Sequence, residues 1–273
     1  MEQIITFLGA GSMAEAIIAG MTANNIVPAK QIIATNHSNK ERLKELAEKY
    51  QIQTTSNKQE AVSKSDVIIL AMKPKDIRKA TDEIKSWLNK DKVIVSLLAG
   101  ISTTFIENQL NESNPVIRVM PNTSATIGLS ATTITGGQFA TEENMKLVET
   151  LIQSVGTTEI IKEDEMDAFT AIAGSGPAFY YYMLEAMEQF VHEKGLDMEI
   201  AKPLIVQTIK GVAEMLNTSP DSTKTLREKI TSPGGTTEAG LKALADHEFQ
   251  QAVIACLHKA TDKSAELRKN FEK

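Results

Sequence analysis

Two short stretches carry residue types at spacings that could do chemistry. The first is "FLGAGSMAEA", which sets Gly9, Gly11 and Ala14 in a Gly-x-Gly-x-x-Ala pattern between an apolar run and a helical one. A first glycine there allows a tight turn, and a second lets the backbone approach a pyrophosphate. A small third residue lets the helix pack on the strand, and the helix N-terminus favours the phosphates. In the chain's first strand–helix–strand unit, the pattern predicts dinucleotide binding. The second stretch is "ITSPGGTTEAG", which gathers Thr231, Ser232, Thr236 and Thr237 around Pro233, Gly234 and Gly235. By itself it is either a turn between two helices or a place to hold a small polar molecule.

The end of the second strand bears on which dinucleotide is held. NAD sites usually place a carboxylate there for the ribose 2′-hydroxyl. Here "ATNHSNKER" offers Thr35, Asn36, His37 and Ser38, followed by Lys40 and Arg42, with no carboxylate before Glu41. Neutral donors with nearby cations suit a 2′-phosphate, so NADPH is the expected cofactor, with His37 a candidate contact and NADH use open. The alternative for Lys40 and Arg42 is a solvated helix face. "LAMKPKD" (70–76) and "SLLAGIS" (96–102) follow two further strand ends. They are either ligand-facing loops or ordinary turns.

Other reactive residue types carry less. His192, His247 and His258 have no spacing typical of a metal site. Cys256 falls on an apolar helix face with no activating partner. The acids of "KEDEMD" (162–167) complement a helix N-terminus rather than form a catalytic carboxylate pair. A net charge of −6 without a long basic run argues against nucleic acid as a partner. The single cysteine excludes an internal disulfide framework and fits a reducing compartment. No basic segment precedes the first apolar run, and no run reaches the ~18 apolar residues that span a bilayer. A cytoplasmic protein with no membrane partner is expected.

These stretches need elements to position them. Short apolar runs at 4–8, 32–35, 67–71, 93–97 and 116–120 alternate with helical patterns such as 39–50 and 102–110. That alternation predicts a doubly wound, mostly parallel sheet. Candidate strands at 130–134 and 157–161, around a helix at 142–154, extend it at one edge. From Asp164 onward the pattern is helical throughout. The expected architecture is an α/β Rossmann-type dinucleotide-binding domain over 1–163, followed by an all-α domain over 164–273 for substrate binding and dimerisation.

A sheet domain followed by a helical one resembles the 6-phosphogluconate and β-hydroxyacid dehydrogenase group. That group carries Gly-x-Gly-x-x-x-Lys-x-x-x-Asn at the start of the long helix after its sheet domain. This chain keeps Gly174 and Gly176 but has Tyr180 and Leu184 at the other two places. Reducing a ketone leaves an alkoxide that needs a proton donor, whereas reducing a protonated imine leaves a neutral amine. The missing lysine points to a C=N acceptor.

Three segments are more specific. "VMPNTSATIGLSAT" (119–132), "DAFTAIAGSGPAF" (167–179) and "ITSPGGTTEAGLKAL" (230–244) resemble, in order and spacing, the hallmark segments of the pyrroline-5-carboxylate reductases. The resemblance covers essentially the whole chain. It implies NADPH-dependent, sometimes NADH-dependent, reduction of 1-pyrroline-5-carboxylate to L-proline, the last step of proline biosynthesis. It also implies a helical domain interlocked with a second subunit, with homodimers assembling in some members into decamers.

By position, the resemblance implies cofactor contacts from Leu8, Gly9, Ala10, Gly11, Ser12 and Met13, then from Asn36 and Asn57. Ala71, Met72, Lys73 and Pro74 would line the groove further, with Leu97, Leu98 and Ala99 beyond them. The two leucines are larger than the family's usual residues there. Substrate contacts would come from Ser175, Ser232, Gly234, Gly235, Thr236 and Thr237, with Thr237 the catalytic hydrogen-bonding group at the ring nitrogen. A five-membered imine with one carboxylate needs anion donors and little else. Amides freed by Gly234 and Gly235 could form that nest, Pro233 would stiffen the loop, and at least one threonine would cap the next helix. The remaining readings are reduction of a related imine and a non-catalytic, dinucleotide-binding regulatory paralogue.

Overall fold

In the computed structural model, which describes residues 2–36, 38–111 and 113–272, the apolar runs pair into one sheet. Its strands are β1 (Ile5–Leu8), β2 (Ile32–Thr35), β3 (Gln53–Thr55), β4 (Val67–Leu70), β5 (Val93–Ser96), β6 (Val116–Met120), β7 (Ser130–Gly136) and β8 (Gly156–Ile160). They lie in the order β3-β2-β1-β4-β5-β6-β7-β8. All pairs are parallel except β6–β7.

Strand side chains alternate between two cores because successive residues point to opposite faces. Ile5, Phe7, Val67, Ile69, Val93, Val95, Ile117 and Val119 share one buried cluster. Leu8, Ile68, Leu70, Ile94 and Val116 share the other. Burial on both faces explains why β1, β2, β4, β5 and β6 read as continuous apolar runs.

Helices cover both faces. They are α1 (Ser12–Ala23), α2 (Lys40–Tyr50), α3 (Lys58–Lys64), α4 (Ile77–Ile84), α5 (Thr103–Glu107) and α6 (Glu142–Ile152). After the sheet come α7 (Met166–Phe169), α8 (Gly176–Glu193), α9 (Met198–Thr218), α10 (Thr223–Lys229), α11 (Thr236–Asp246) and α12 (Phe249–Glu272). The strand β3 was not expected, because its Gln-Thr-Thr is a polar edge, exposed at Gln53 and half-buried at the two threonines. The helix expected over 102–110 is only the five residues of α5.

The chain forms two compact units, Met1–Pro177 together with His258–Lys273, and Ala178–Leu257. The sheet unit therefore runs beyond the expected boundary at Glu163. Met166 is fully buried, and the buried Asp167 accepts hydrogen bonds from Ser264 Oγ (2.7 Å) and Arg268 Nη2 (2.9 Å). Those bonds tie 164–177 to the last turns of α12, both of which belong to the sheet unit. In the second unit Val191 is the one buried side chain among the described residues. Tyr182, Leu204, Val212 and Ile254 lie more than half exposed in the single chain.

Gly20 marks where α1 touches the far end of the sheet unit. A Cβ there would lie 2.5 Å from Val155 Cγ1 and 2.6 Å from the Ser154 carbonyl oxygen. The approach is too close for any side chain, so Gly20→Ala should cost about 2 kcal/mol despite alanine's better helix propensity. Chemical denaturation of the variant measures it, and a variant as stable as the parent would contradict the close contact.

Candidate active site

The strand order reverses between β1 and β4, and the carboxyl ends of strands beside such a switch point are where open α/β sheets bind ligands. A cleft of about 750 Å³ lies there. Leu8, Gly9, Ala10, Gly11, Ser12 and Met13 form one wall, Thr35, Asn36 and Ser38 a second, and Ala71, Met72 and Lys73 a third.

The two loop glycines are required for different reasons. Gly9 has φ +118°, and a Cβ on it would sit 2.5 Å from the Ala71 carbonyl oxygen. The neighbouring strand end therefore forbids a side chain. Gly11 has φ −77°, which any residue adopts, and a Cβ there would meet no protein atom within 4 Å. The space it would enter belongs to the cleft. A backbone left bare beside open space, at the start of a helix whose N-cap Gly11 supplies no capping side chain, fits a closely approaching pyrophosphate.

At the second wall, Asn36 Oδ1 accepts hydrogen bonds from the amides of Ser38 (3.1 Å) and Asn39 (2.9 Å). With the oxygen engaged, the Nδ2 group is the end left to donate. His37, the other candidate contact, lies outside the described residues. Lys40 is exposed. Arg42 is not on a solvated face: its side chain is 19% exposed and ion-paired with Glu15 and Glu45.

Some expected contacts sit elsewhere. Asn57 Oδ1 caps α3 by accepting from the Glu60 amide (3.2 Å), and it is the next residue, Lys58, that borders the cleft and pairs with Glu83 at 2.6 Å. Pro74 opens a tight turn, and Lys75 and Lys79 after it reach the cleft. Leu98 is 1% exposed in the core, Leu97 packs on the other core, and Ala99 is exposed. None of these three borders the cleft, so Leu98 has only its backbone to offer a ligand. Lys58, Lys75 and Lys79 were missed in the sequence. The one available signal was the single-turn spacing of Lys75 and Lys79, which any solvated helix face shares.

In the second unit, the loop before α11 is built from its own backbone. Gly234 has φ +72°, its amide donates to Glu238 Oε2 at 2.8 Å, and the Gly235 amide donates to the Ser232 carbonyl at 3.0 Å. The glycine amides are therefore engaged and do not form the expected nest. The N-cap is Gly235, with no side-chain cap, so the expected threonine cap is absent as well. Thr236 and Thr237 offer unengaged amides and hydroxyls, which have no hydrogen-bond partner among the described residues and are exposed, as are the amide and hydroxyl of Ser232. The two threonines stand in the first turn of α11, where the helix dipole favours an anion. In the sheet unit Ser175 closes a π-helical turn at 170–174, its amide donating to the Thr170 carbonyl at 2.8 Å. Such turns recur at functional sites.

A phosphate loop at the switch point of a mostly parallel sheet, followed by an all-helical unit, defines a two-domain oxidoreductase dependent on a nicotinamide dinucleotide. Residues 4–100 match the family described as NADP oxidoreductase, coenzyme F420-dependent, and residues 163–267 match pyrroline-5-carboxylate reductase dimerisation. The chain is 44% identical over 272 residues to pyrroline-5-carboxylate reductase 1 of Bacillus spizizenii, covering all of this chain and 92% of that protein. A solved pyrroline-5-carboxylate reductase of Coxiella burnetii superposes with TM-score 0.91 at 32% identity, covering 98% of this chain and 99% of that one. The pyrroline carboxylate reductase of Plasmodium falciparum, solved with NADP bound, gives 0.88 at 29%, covering 98% of both. The chain belongs to the pyrroline-5-carboxylate reductase family.

Proposed function

We infer that this protein reduces 1-pyrroline-5-carboxylate to L-proline, using a nicotinamide dinucleotide as hydride donor. The observation that carries the inference is the pair of loop glycines, one where the fold forbids a side chain and one where a side chain would meet only open space, in a chain matching reductases of this name along its length. When bound, the cofactor supplies the hydride, and the protein supplies orientation and electrostatics. Hydride addition at the C=N carbon of the protonated ring leaves a neutral secondary amine, so this chain needs no lysine to protonate an alkoxide. The amides of Thr236 and Thr237 are suited to the substrate carboxylate, and the Thr237 hydroxyl to a hydrogen bond at the ring nitrogen. Ser175 and Ser232 complete the proposed substrate residues, with Gly234 and Gly235 shaping the loop rather than donating their engaged amides.

NADPH is the proposed preferred cofactor. Supporting this, β2 ends without a carboxylate, and Asn36 presents an amide donor where an NAD site would present an acceptor. The chain is proposed to act as a homodimer, with the decamer a further assembly. The second unit supports this by burying little of its apolar surface in the single chain, a face such units cover with a partner. No helix among the described residues is long and apolar enough to cross a membrane. Action in the cytoplasm, without nucleic acid, completes the reading.

Following NADPH oxidation on addition of pyrroline-5-carboxylate, with proline identified as product, tests the assignment. No turnover by the purified protein would sink it. In the same assay Thr237→Ala should lower kcat by about 10²-fold, the scale for losing one positioned hydrogen-bonding group at the reacting centre. Parent-like turnover would remove Thr237 from the mechanism.

A further inference from the structure

A cluster of charged and polar side chains beside the glycine loop joins α1 to α2. Arg42, in the first turn of α2, donates from Nε to the Ala10 carbonyl oxygen at 3.0 Å. Its Nη2 pairs with Glu15, in the first turn of α1, and its Nη1 donates to Glu45 at 2.8 Å. Glu15 also accepts from Lys49 Nζ (2.9 Å) and Tyr50 OH (2.8 Å). The Arg42 guanidinium holds the Glu15 carboxyl well below its ordinary range, at about 2, so the cluster stays charged at any working pH.

Ala10 is the residue between the two loop glycines, and its carbonyl belongs to the same peptide as the Gly11 amide. In a planar trans peptide the C=O and N–H point in opposite directions. Fixing the Ala10 oxygen behind the loop therefore fixes the Gly11 N–H to the other side. The peptide joins Ala10 to Gly11, and on the glycine side no Cβ resists its rotation. A flipped peptide would present an oxygen rather than an N–H to a phosphate. The Glu15 amide meanwhile donates to the Gly11 carbonyl at 3.0 Å, holding the next peptide.

We propose that Arg42, oriented by Glu15, is a positioning residue for the dinucleotide loop and not a ligand of the 2′-phosphate. Its charge is matched by two carboxylates, and it is absent from the cleft wall that Asn36 and Ser38 form. The proposal rests on the reading of the cleft as a dinucleotide site.

NADPH and NADH share the pyrophosphate and differ only at the 2′ position, and that difference provides the test. Dissociation constants for both are measured by fluorescence titration of the purified full-length protein, without substrate. Arg42→Ala should weaken both by about 10-fold, leaving their ratio unchanged within about twofold, and kcat at saturating cofactor should hold. Glu15→Gln, which keeps the shape, should weaken both in parallel by a smaller factor. It also serves if Arg42→Ala does not fold. Selective loss of NADPH binding would overturn the proposal by making Arg42 a phosphate ligand. Unchanged constants with a lower melting temperature would overturn it by leaving only a structural role. A parent that binds neither dinucleotide would refute the site itself, an outcome distinct from any variant effect.

Discussion

Alanine at position 11 is expected to weaken NADPH binding by more than about 100-fold while changing stability by no more than about 1 kcal/mol. The protein offers a Cβ at Gly11 no obstacle, so the methyl group meets only a ligand. The small stability cost is that of exchanging glycine for alanine at the N-cap of α1. Gly9→Ala should behave differently. Its methyl group would fall 2.5 Å from the Ala71 carbonyl oxygen, 2.6 Å from its carbon and 2.9 Å from the Met72 nitrogen, all backbone atoms that cannot swing aside. The left-handed φ adds strain of its own, and a loss of about 3 kcal/mol or more is expected alongside the loss of binding. Thermal melts and NADPH titrations on the two variants separate the effects. Undiminished affinity in Gly11→Ala would remove the pyrophosphate from the loop, and a Gly9→Ala protein of parental stability would contradict the contact with Ala71.

The second large effect is expected at Arg118, a 1%-exposed arginine on β6. Its Nη1 donates to Glu163 Oε1 at 2.6 Å, while Nε and Nη2 have no acceptor among the described residues. Glu163 Oε2 in turn accepts from Thr103 Oγ1 at 3.0 Å. Removing the carboxylate strands a guanidinium inside the protein, so Glu163→Ala should cost about 3 kcal/mol, the low end for a buried pair because Glu163 itself keeps partial solvent contact. Arg118→Met removes the charge together with its unmet donors and should cost clearly less. Adding Arg118→Met to Glu163→Ala should then recover part of the loss. Urea denaturation at fixed protein concentration measures all three. Equal losses from the two single variants would show that the pair stabilises by its attraction rather than by relieving a buried charge.

The parts of this protein legible in the sequence are those specified by neighbours along the chain. Four-residue apolar runs, the glycine spacing after the first of them and the absence of a carboxylate after the second are local patterns. They correctly predict the sheet and its mostly parallel order, and the glycine loop does border a cleft at the carboxyl ends of the strands. The hallmark segments likewise identify the family from residue types and order alone. What could not be read depends on groups distant in the chain. β3 is a polar triplet without an apolar run that becomes a strand only because β2 offers it an edge. Arg42 carries the same side chain whether it meets solvent, a phosphate or the Ala10 carbonyl. Only packing of α2 against α1 decides among them.

The amides before α11 show the same division at close range. Paired glycines predict a turn, yet which N–H groups stay unengaged depends on where the Glu238 carboxylate and the Ser232 carbonyl come to rest. By itself the sequence determined the backbone's permitted conformations, the faces that must be buried and the family. The tertiary structure alone decided which donors remain for a ligand, because a hydrogen bond made inside the protein removes that donor from the site, and its partner is chosen by packing.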